Sequence, residues 1–222
     1  MKTNCTSVIL ANQHSSLIGI ESVSDIATNL FLLKSIEYAN DSAKVVLGLN
    51  QKFSRDAAIS LELQGISTKY LPDTRGALAT IGLLLDLIPE DKPIAIIPTN
   101  AWIIESLNTF ISAMQAEDAE VGIAVIPSTS PELSYVRMVG EKIVEIHEKE
   151  VVGDFALSGH YYFSRKQLLI DCLDWALLNN INKDGLLYIA PSLNYCITQS
   201  IRISSFPSNP KFYQRQSHLK GS

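Results

Sequence analysis

Apolar residues fall into two alternating patterns along the first half of the chain. Ser7-Val-Ile-Leu-Ala11, Lys44-Val-Val-Leu-Gly-Leu49 and Pro93-Ile-Ala-Ile-Ile97 are short apolar runs without polar alternation. Such runs suit strands buried on both faces of a mostly parallel sheet. Between them, Asp25 to Tyr38 carries Ile26, Leu30, Leu33 and Ile36, and Phe53 to Gln64 carries Ala57, Ala58, Leu61 and Leu63 before Gly65. That spacing predicts helices, the second ended by glycine. Ser67 to Leu71 reads as a shorter strand, Ala77 to Leu87 as a very apolar helix, Ile103 to Ala116 as a helix and Glu120 to Ile126 as a strand. Strand and helix therefore alternate at about 25 to 30 residues per unit, the signature of right-handed crossovers building a parallel sheet.

The rhythm changes after Pro127. Ser134 to Val139 and Lys142 to His147 alternate apolar and polar residues around Gly140-Glu141, which predicts a hairpin. Phe155 to Phe163 reads as a strand with a glycine in its middle, Gln167 to Asn179 as a helix, and Ile201 to Phe206 as the last strand. No internal repeat or low-complexity linker divides the chain. The expected architecture is α/β: a three-layer, doubly wound, mostly parallel mixed sheet in one domain over residues 1–215, with 216–222 as a flexible tail.

Composition narrows the function classes. With 222 residues, 46% hydrophobic and 18% charged, the chain is long enough for one sizeable core and too apolar for disorder. A net charge of −5 and a pI near 5.4 argue against nucleic-acid binding, which needs a basic stripe. The apolar runs fall short of the roughly 20 residues that span a bilayer, and the first residues lack a signal-peptide pattern. Cys5, Cys172 and Cys196 are widely spaced and read as reduced cysteines, so a cytoplasmic setting is expected.

Ligands of open α/β sheets bind beyond the carboxyl ends of the strands. The polar pair Thr99-Asn100 follows the strand at Ile97, so Asn100 is the first residue to suspect there; the alternative is plain turn chemistry. Ordinary catalytic templates are missing: no G-x-S-x-G, no H-E-x-x-H and no Walker loop. His14, His147, His160 and His218 are isolated in sequence and read as surface or satisfied core histidines. The acid pairs Asp118/Glu120 and Glu145/Glu148 are explained by solvated helix ends or hairpins at least as well as by catalysis.

Three segments in order carry a more specific signal. Tyr135-Val-Arg with Lys142-Ile-Val-Glu-Ile-His-Glu-Lys149, then Ala156-Leu-Ser-Gly-His-Tyr-Tyr-Phe163, then Tyr188-Ile-Ala-Pro-Ser-Leu-Asn194, resemble segments of the sugar-1-phosphate nucleotidyltransferase family. Thr74-Arg-Gly-Ala-Leu-Ala79 resembles that family's nucleobase loop, where a Cβ in place of Gly76 would block backbone approach; the equal alternative for Gly76 is a plain turn before a helix. The resemblance runs from about Ser7 to Tyr213. It implies a Rossmann-like fold of the GT-A/nucleotidyltransferase type and attack of a sugar-1-phosphate on the α-phosphorus of a nucleoside triphosphate. It also implies nucleotide contacts at Asn12, Gln13, Gly76 and Ala77, and sugar-phosphate contacts at Glu148, Lys149, Gly159 and Asn194.

The departures from the family are concentrated. Where its G-G-x-G-x-R loop should follow Val8-Ile-Leu-Ala11, this chain has Asn12-Gln-His-Ser-Ser-Leu17. Gly19 to Asn29 contains no Lys, Arg or Pro for the expected P-K element. Asn100 stands where a Mg²⁺-holding carboxylate is expected, and Ile203 to Tyr213 contains no acid for the second. An amide oxygen brings no charge, and Mg²⁺ prefers anionic oxygen. No metal site is therefore expected, with Mg²⁺ as cofactor only if the chain is active. The first expectation is an impaired homologue that binds a nucleotide or sugar-phosphate ligand. The alternatives are an active transferase with a shifted site, using Asp73, Asp118, Glu120 or Asp154, or an interaction subunit that forms a homodimer or pairs with an active paralogue. In the last case the exposed half of the Tyr161-Tyr-Phe163 strand or the Trp175 helix would supply the surface, although core packing is the first expectation for both.

Overall fold

The computed structural model describes residues 3–11, 30–99, 101–103, 105–208 and 214–215. Its main sheet contains β1 (Thr3–Leu10), β2 (Ser42–Asn50), β3 (Ile66–Leu71), β4 (Ile94–Ile97), β6 (Val121–Pro127), β9 (Phe155–Phe163) and β10 (Ile203–Pro207). The hairpin of β7 (Tyr135–Val139) and β8 (Lys142–His147) joins it through β9, and the two short strands of β5 (Ala101–Trp102) and β11 (Gln214–Arg215) pair separately. The order across the sheet is β10-β6-β9-β4-β1-β2-β3. β1, β2, β3 and β4 are parallel; β9 runs antiparallel to both β4 and β6, and β10 is parallel to β6. So β1–β4, β6 and β10 all point one way, and β9 alone opposes them in the middle.

The apolar runs form strands because both faces are covered. One face carries Val8, Val46, Ile96 and Phe163 against α3 (Ala77–Gly82), α5 (Lys166–Leu178), α6 (Ile189–Ser192) and α7 (Asn194–Thr198). The other carries Ile9, Leu47, Ile97 and Tyr162 against α1 (Leu30–Ala39), α2 (Arg55–Leu63) and α4 (Leu107–Ala116). Each large aliphatic side chain taken fully from water contributes roughly 1.5–3 kcal/mol. The strands β1 and β4 are buried along almost their whole length, which places their ends at the centre of the molecule. The expected three-layer α/β architecture is the one observed.

The differences are local and have physical reasons. The helix expected from Ile103 begins at Leu107, because Ser106 Oγ accepts from the Thr109 amide at 3.2 Å and fixes the first turn there. The helix expected over Ala77 to Leu87 stops at Gly82 and continues as a tight turn at Leu85–Leu87. The segment Tyr188–Asn194, read as motif rather than structure, forms two short helices. The described part of the Asp25–Tyr38 helix is Leu30–Ala39; its expected start, and the expected tail at 216–222, lie outside the described residues.

Candidate functional site

The carboxyl ends of β1 and β4 meet at the middle of the sheet. There Thr99 Oγ1 donates to the Leu10 carbonyl at 3.2 Å, and Ser35 Oγ of α1 donates to the Pro98 carbonyl at 2.8 Å. Thr99 is buried, so its polarity serves this cross-strand tie. Asn100, Asn12 and Gln13, which the sequence places at the same strand ends, lie outside the described residues, as do His14 and His218.

Gly159 faces this point from β9. Ile123 pairs with Tyr161 and Val125 with Leu157, so Ser158, Gly159 and His160 together stand opposite Ala124. That is a bulge, a device that re-aims side chains at the edge of a site. Gly159 has φ +89°, and a Cβ there would lie 3.3 Å from Cβ and Cγ of Pro98. The glycine in mid-strand is thus accounted for by the bulge and by the closeness of the β4 exit.

Next to it, His160 is fully enclosed, with Nδ1 3.1 Å from Ser158 Oγ and its ring edge-on to Tyr38 of α1 at 5.3 Å. Burial pushes its pKa down to about 3, so the ring is neutral at physiological pH. It is a satisfied core histidine. Burial also raises the Tyr38 phenol, with Glu105 adding to the effect. Between α1 and the start of α4 lies a cavity of about 380 Å³, lined by Lys34, Glu37, Tyr38, Asp41, Ile103, Ser106 and Leu107.

A second cluster forms around residues 187–194. The loop after β3 is tied by Thr74 Oγ1, 2.7 Å from Thr80 Oγ1, and ends at Gly76 with φ +103°. A Cβ on Gly76 would fall 2.7 Å from the Leu187 nitrogen and closer still to its carbonyl oxygen. Leu187 in turn donates to the Arg75 carbonyl at 2.7 Å and accepts from the Leu78 amide at 3.1 Å. The glycine requirement at 76 is therefore met by the chain's own backbone. Ala77, half-buried, opens α3 beside it.

One residue on, the Tyr188 hydroxyl accepts from Lys149 Nζ at 2.9 Å, with the ammonium 5.1 Å from the ring centroid. The hydrogen bond to Tyr188 raises the Lys149 pKa, so the cation is retained. Lys149 has φ +53°, and its amide donates to the Leu133 carbonyl at 3.1 Å. Glu148 accepts from the Ser134 hydroxyl across the hairpin. Asn194 clasps β8: its Oδ1 accepts from the Ile146 amide at 3.1 Å and its Nδ2 donates to the Ile146 carbonyl at 2.7 Å. It also donates to the Pro191 carbonyl at 3.0 Å. Gly76, Ala77, Lys149 and Asn194 are thus all gathered on the Leu187–Asn194 segment, whereas Gly159 belongs to the β4 exit.

Tyr188 and Leu187 are the functional candidates that residue-by-residue reading passed over. Tyr188 was already visible as the first residue of the Tyr188–Asn194 motif; Leu187 offered no signal, because its backbone does the contacting.

The acids proposed for a shifted site do not converge. Asp118 is bound by Arg202 at 2.9 Å and Glu120 by Arg165 at 3.2 Å, both before the amino end of β6 and so at the opposite end of the sheet. Asp73 follows β3, an edge strand, while Asp154 precedes β9, with β4, β1 and β2 between those strands. Among the described residues no group of three or more His, Cys, Asp or Glu side chains could hold a metal ion. Tyr161, Tyr162 and Phe163 have the core-packing role, buried in a strand paired on both sides, and supply no exposed surface. Trp175 packs on Tyr195 at 6.4 Å. No described helix is long and apolar enough to cross a membrane.

No protein-family model matches the chain. No curated protein sequence matches it either. Solved structures do. A nucleoside-diphosphate-sugar pyrophosphorylase from Vibrio cholerae RC9 superposes with a TM-score of 0.71 at 15% identity, covering 94% of this chain and 93% of that one. A protein from Bacillus anthracis assigned as a glucose-1-phosphate thymidylyltransferase gives 0.68 at 13% identity, over 95% and 89%. The inositol-1-phosphate CTP transferase of T. maritima gives 0.63 at 12% identity, over 100% and 94%. Identities this low speak for the fold alone, and the coverage spans nearly all of each chain. The chain has a sugar-1-phosphate nucleotidyltransferase-like fold.

Proposed function

We propose that this protein binds a sugar phosphate, a nucleotide or a nucleotide sugar on the nucleotidyltransferase-like scaffold and has lost metal-dependent nucleotidyl transfer. The carrying observation is Asn100, a neutral amide at the strand end where the resemblance calls for a metal-holding carboxylate. The accompanying changes point the same way: no glycine cradle at Asn12 to Leu17, no cation in Gly19 to Asn29 and no acid in Ile203 to Tyr213. Each such group ordinarily supplies about 3 kcal/mol of transition-state stabilisation, so their joint loss removes turnover by that mechanism. The Lys149 ammonium, the Glu148 carboxylate and the Tyr188 hydroxyl support retention of a sugar-phosphate side, since a fixed cation with flanking acceptors suits a phosphate and sugar hydroxyls. The setting would be nucleotide-sugar or surface-polysaccharide metabolism.

A thermal-shift screen of nucleoside triphosphates, sugar-1-phosphates and nucleotide sugars, with and without Mg²⁺, tests the reading alongside a pyrophosphate-release assay. At a hundredfold excess over Kd a ligand adds about 2.7 kcal/mol, which a melting curve resolves readily. The expected result is a shift with at least one ligand class and no Mg²⁺-dependent pyrophosphate. Sustained pyrophosphate release would overturn the loss of transfer; no shift with any ligand class would overturn the binding function.

A further inference from the structure

Cys172 and Cys196 are separated by 24 residues in sequence, yet their sulfurs lie 3.6 Å apart. Both are free thiols with no exposed surface. Cys172 sits within the thirteen-residue α5, and Cys196 in the five-residue α7, whose other end holds β8 through Asn194. The third cysteine, Cys5, is on β1, with its sulfur 3.5 Å from Ser42 Oγ. One pair of thiols is thus in contact, and the remaining cysteine belongs to a different strand and a different layer.

We infer that Cys172 and Cys196 form a reversible oxidative modification site, a thiol pair that peroxide converts to a disulfide joining α5 to α7. The chemistry balances with hydrogen peroxide as oxidant. One thiol, as thiolate, attacks a peroxide oxygen, becoming a sulfenic acid as water leaves; the second thiol displaces the hydroxyl, forming the S–S bond and releasing a second water. Two thiols and one peroxide thus give one disulfide and two waters. Peroxide is only modestly larger than a water molecule, which suits this enclosed pair better than a bulky disulfide reagent.

Bond formation needs the sulfurs about 1.5 Å closer than they stand. The longer, better-anchored α5 is the fixed partner, and the short helix α7 is the element with little intrinsic stability that can follow. The hydrogen bond with Cys196 and, after it, burial raise the Cys172 pKa, which disfavours the thiolate that attacks peroxide.

The test uses the full chain in its reduced form. It is incubated with millimolar hydrogen peroxide, quenched, alkylated in denaturant and analysed by intact mass and by peptide mapping without reductant. The expected product has lost about 2 Da, contains one cross-link between the Cys172 and Cys196 peptides, leaves Cys5 alkylated, and reverts with a phosphine reductant. A Cys5→Ser variant retains the cross-link and a Cys196→Ala variant loses it; should the latter fail to fold, the wild-type peptide map decides alone. Recovery of three alkylated cysteines, irreversible sulfinic or sulfonic products at Cys172 or Cys196, or a cross-link through Cys5 would each overturn the inference.

Discussion

The two sides of the candidate site are built in different ways. The loop after β3 is fixed chiefly by backbone against backbone: Gly76 and Leu78 press on Leu187, with the Thr74–Thr80 hydroxyl pair beside them. The hairpin side is fixed by side chains: Asn194 on Ile146, Glu148 on Ser134, Lys149 on Tyr188. A backbone junction tolerates many side chains and hardly any change of shape. A junction held by side chains accepts small shifts but depends on the identity of each residue. On this view the Gly76 side is rigid and the hairpin side is tunable.

The contrast can be broken most directly at Gly76. Gly76→Ala places a methyl group into the Leu187 backbone at a φ that alanine avoids, so a loss of about 3–5 kcal/mol in denaturant unfolding is expected. A loss below about 1 kcal/mol would mean that Leu187 moves freely and the junction is not rigid.

Acid pH probes the β4 exit, where His160 lies beside Gly159. Its folded pKa, about 3, is below its ordinary value of 6.5. The unfolded chain therefore binds a proton that the folded chain refuses, and stability present above pH 6.5 is lost as pH falls towards 3. Between pH 6.5 and 4 this amounts to about 3 kcal/mol. Chemical unfolding across that range should show the decline in the wild type and a flatter profile in His160→Gln; parallel profiles would show that other groups carry the acid sensitivity.

On the side-chain-held half, Asn194→Ala leaves the Ile146 amide and carbonyl without their partner, which costs about 2–3 kcal/mol. Urea unfolding measures the loss, and faster hydrogen exchange at the Ile146 amide should accompany it. The smallest effect is expected at Gly159. Gly159→Ala meets only the edge of the Pro98 ring, 3.3 Å away, so the backbone strain of about 1–2 kcal/mol dominates. If Gly159→Ala costs as much as Gly76→Ala, the distinction between the two glycines fails.

Much of the sheet was legible because its strands are apolar on both faces and its helices periodic on one. The run at Pro93 to Ile97 identified a central strand, and the Gly in Phe155 to Phe163 marked the bulge. What periodicity cannot encode is direction: nothing in Phe155-Ala-Leu-Ser-Gly-His-Tyr-Tyr-Phe163 says that β9 runs against its neighbours, since a buried strand looks alike either way. The site was legible in part for the same reason. Gly76, Lys149 and Asn194 were found through motif resemblance and do share one segment. Their link through Leu187 is made by main-chain atoms, which leave no mark on residue identity. The acids Asp118 and Glu120 fit the helix-end reading, but their partners, Arg202 and Arg165, could not be read from sequence because they are distant along the chain.

The placement of β9 also has a consequence for the order of assembly. During synthesis β1 to β4 can pair as soon as they emerge, but the outer side of β4 stays open until Phe155 to Phe163 has been made. At roughly 5–20 residues per second, that interval is on the order of 3 to 12 s. For that time a nascent chain carries a row of unpaired backbone N–H and C=O groups at what will become its centre. The strand that pairs with it must arrive from the opposite direction, so closing the centre of the sheet is a late, long-range event.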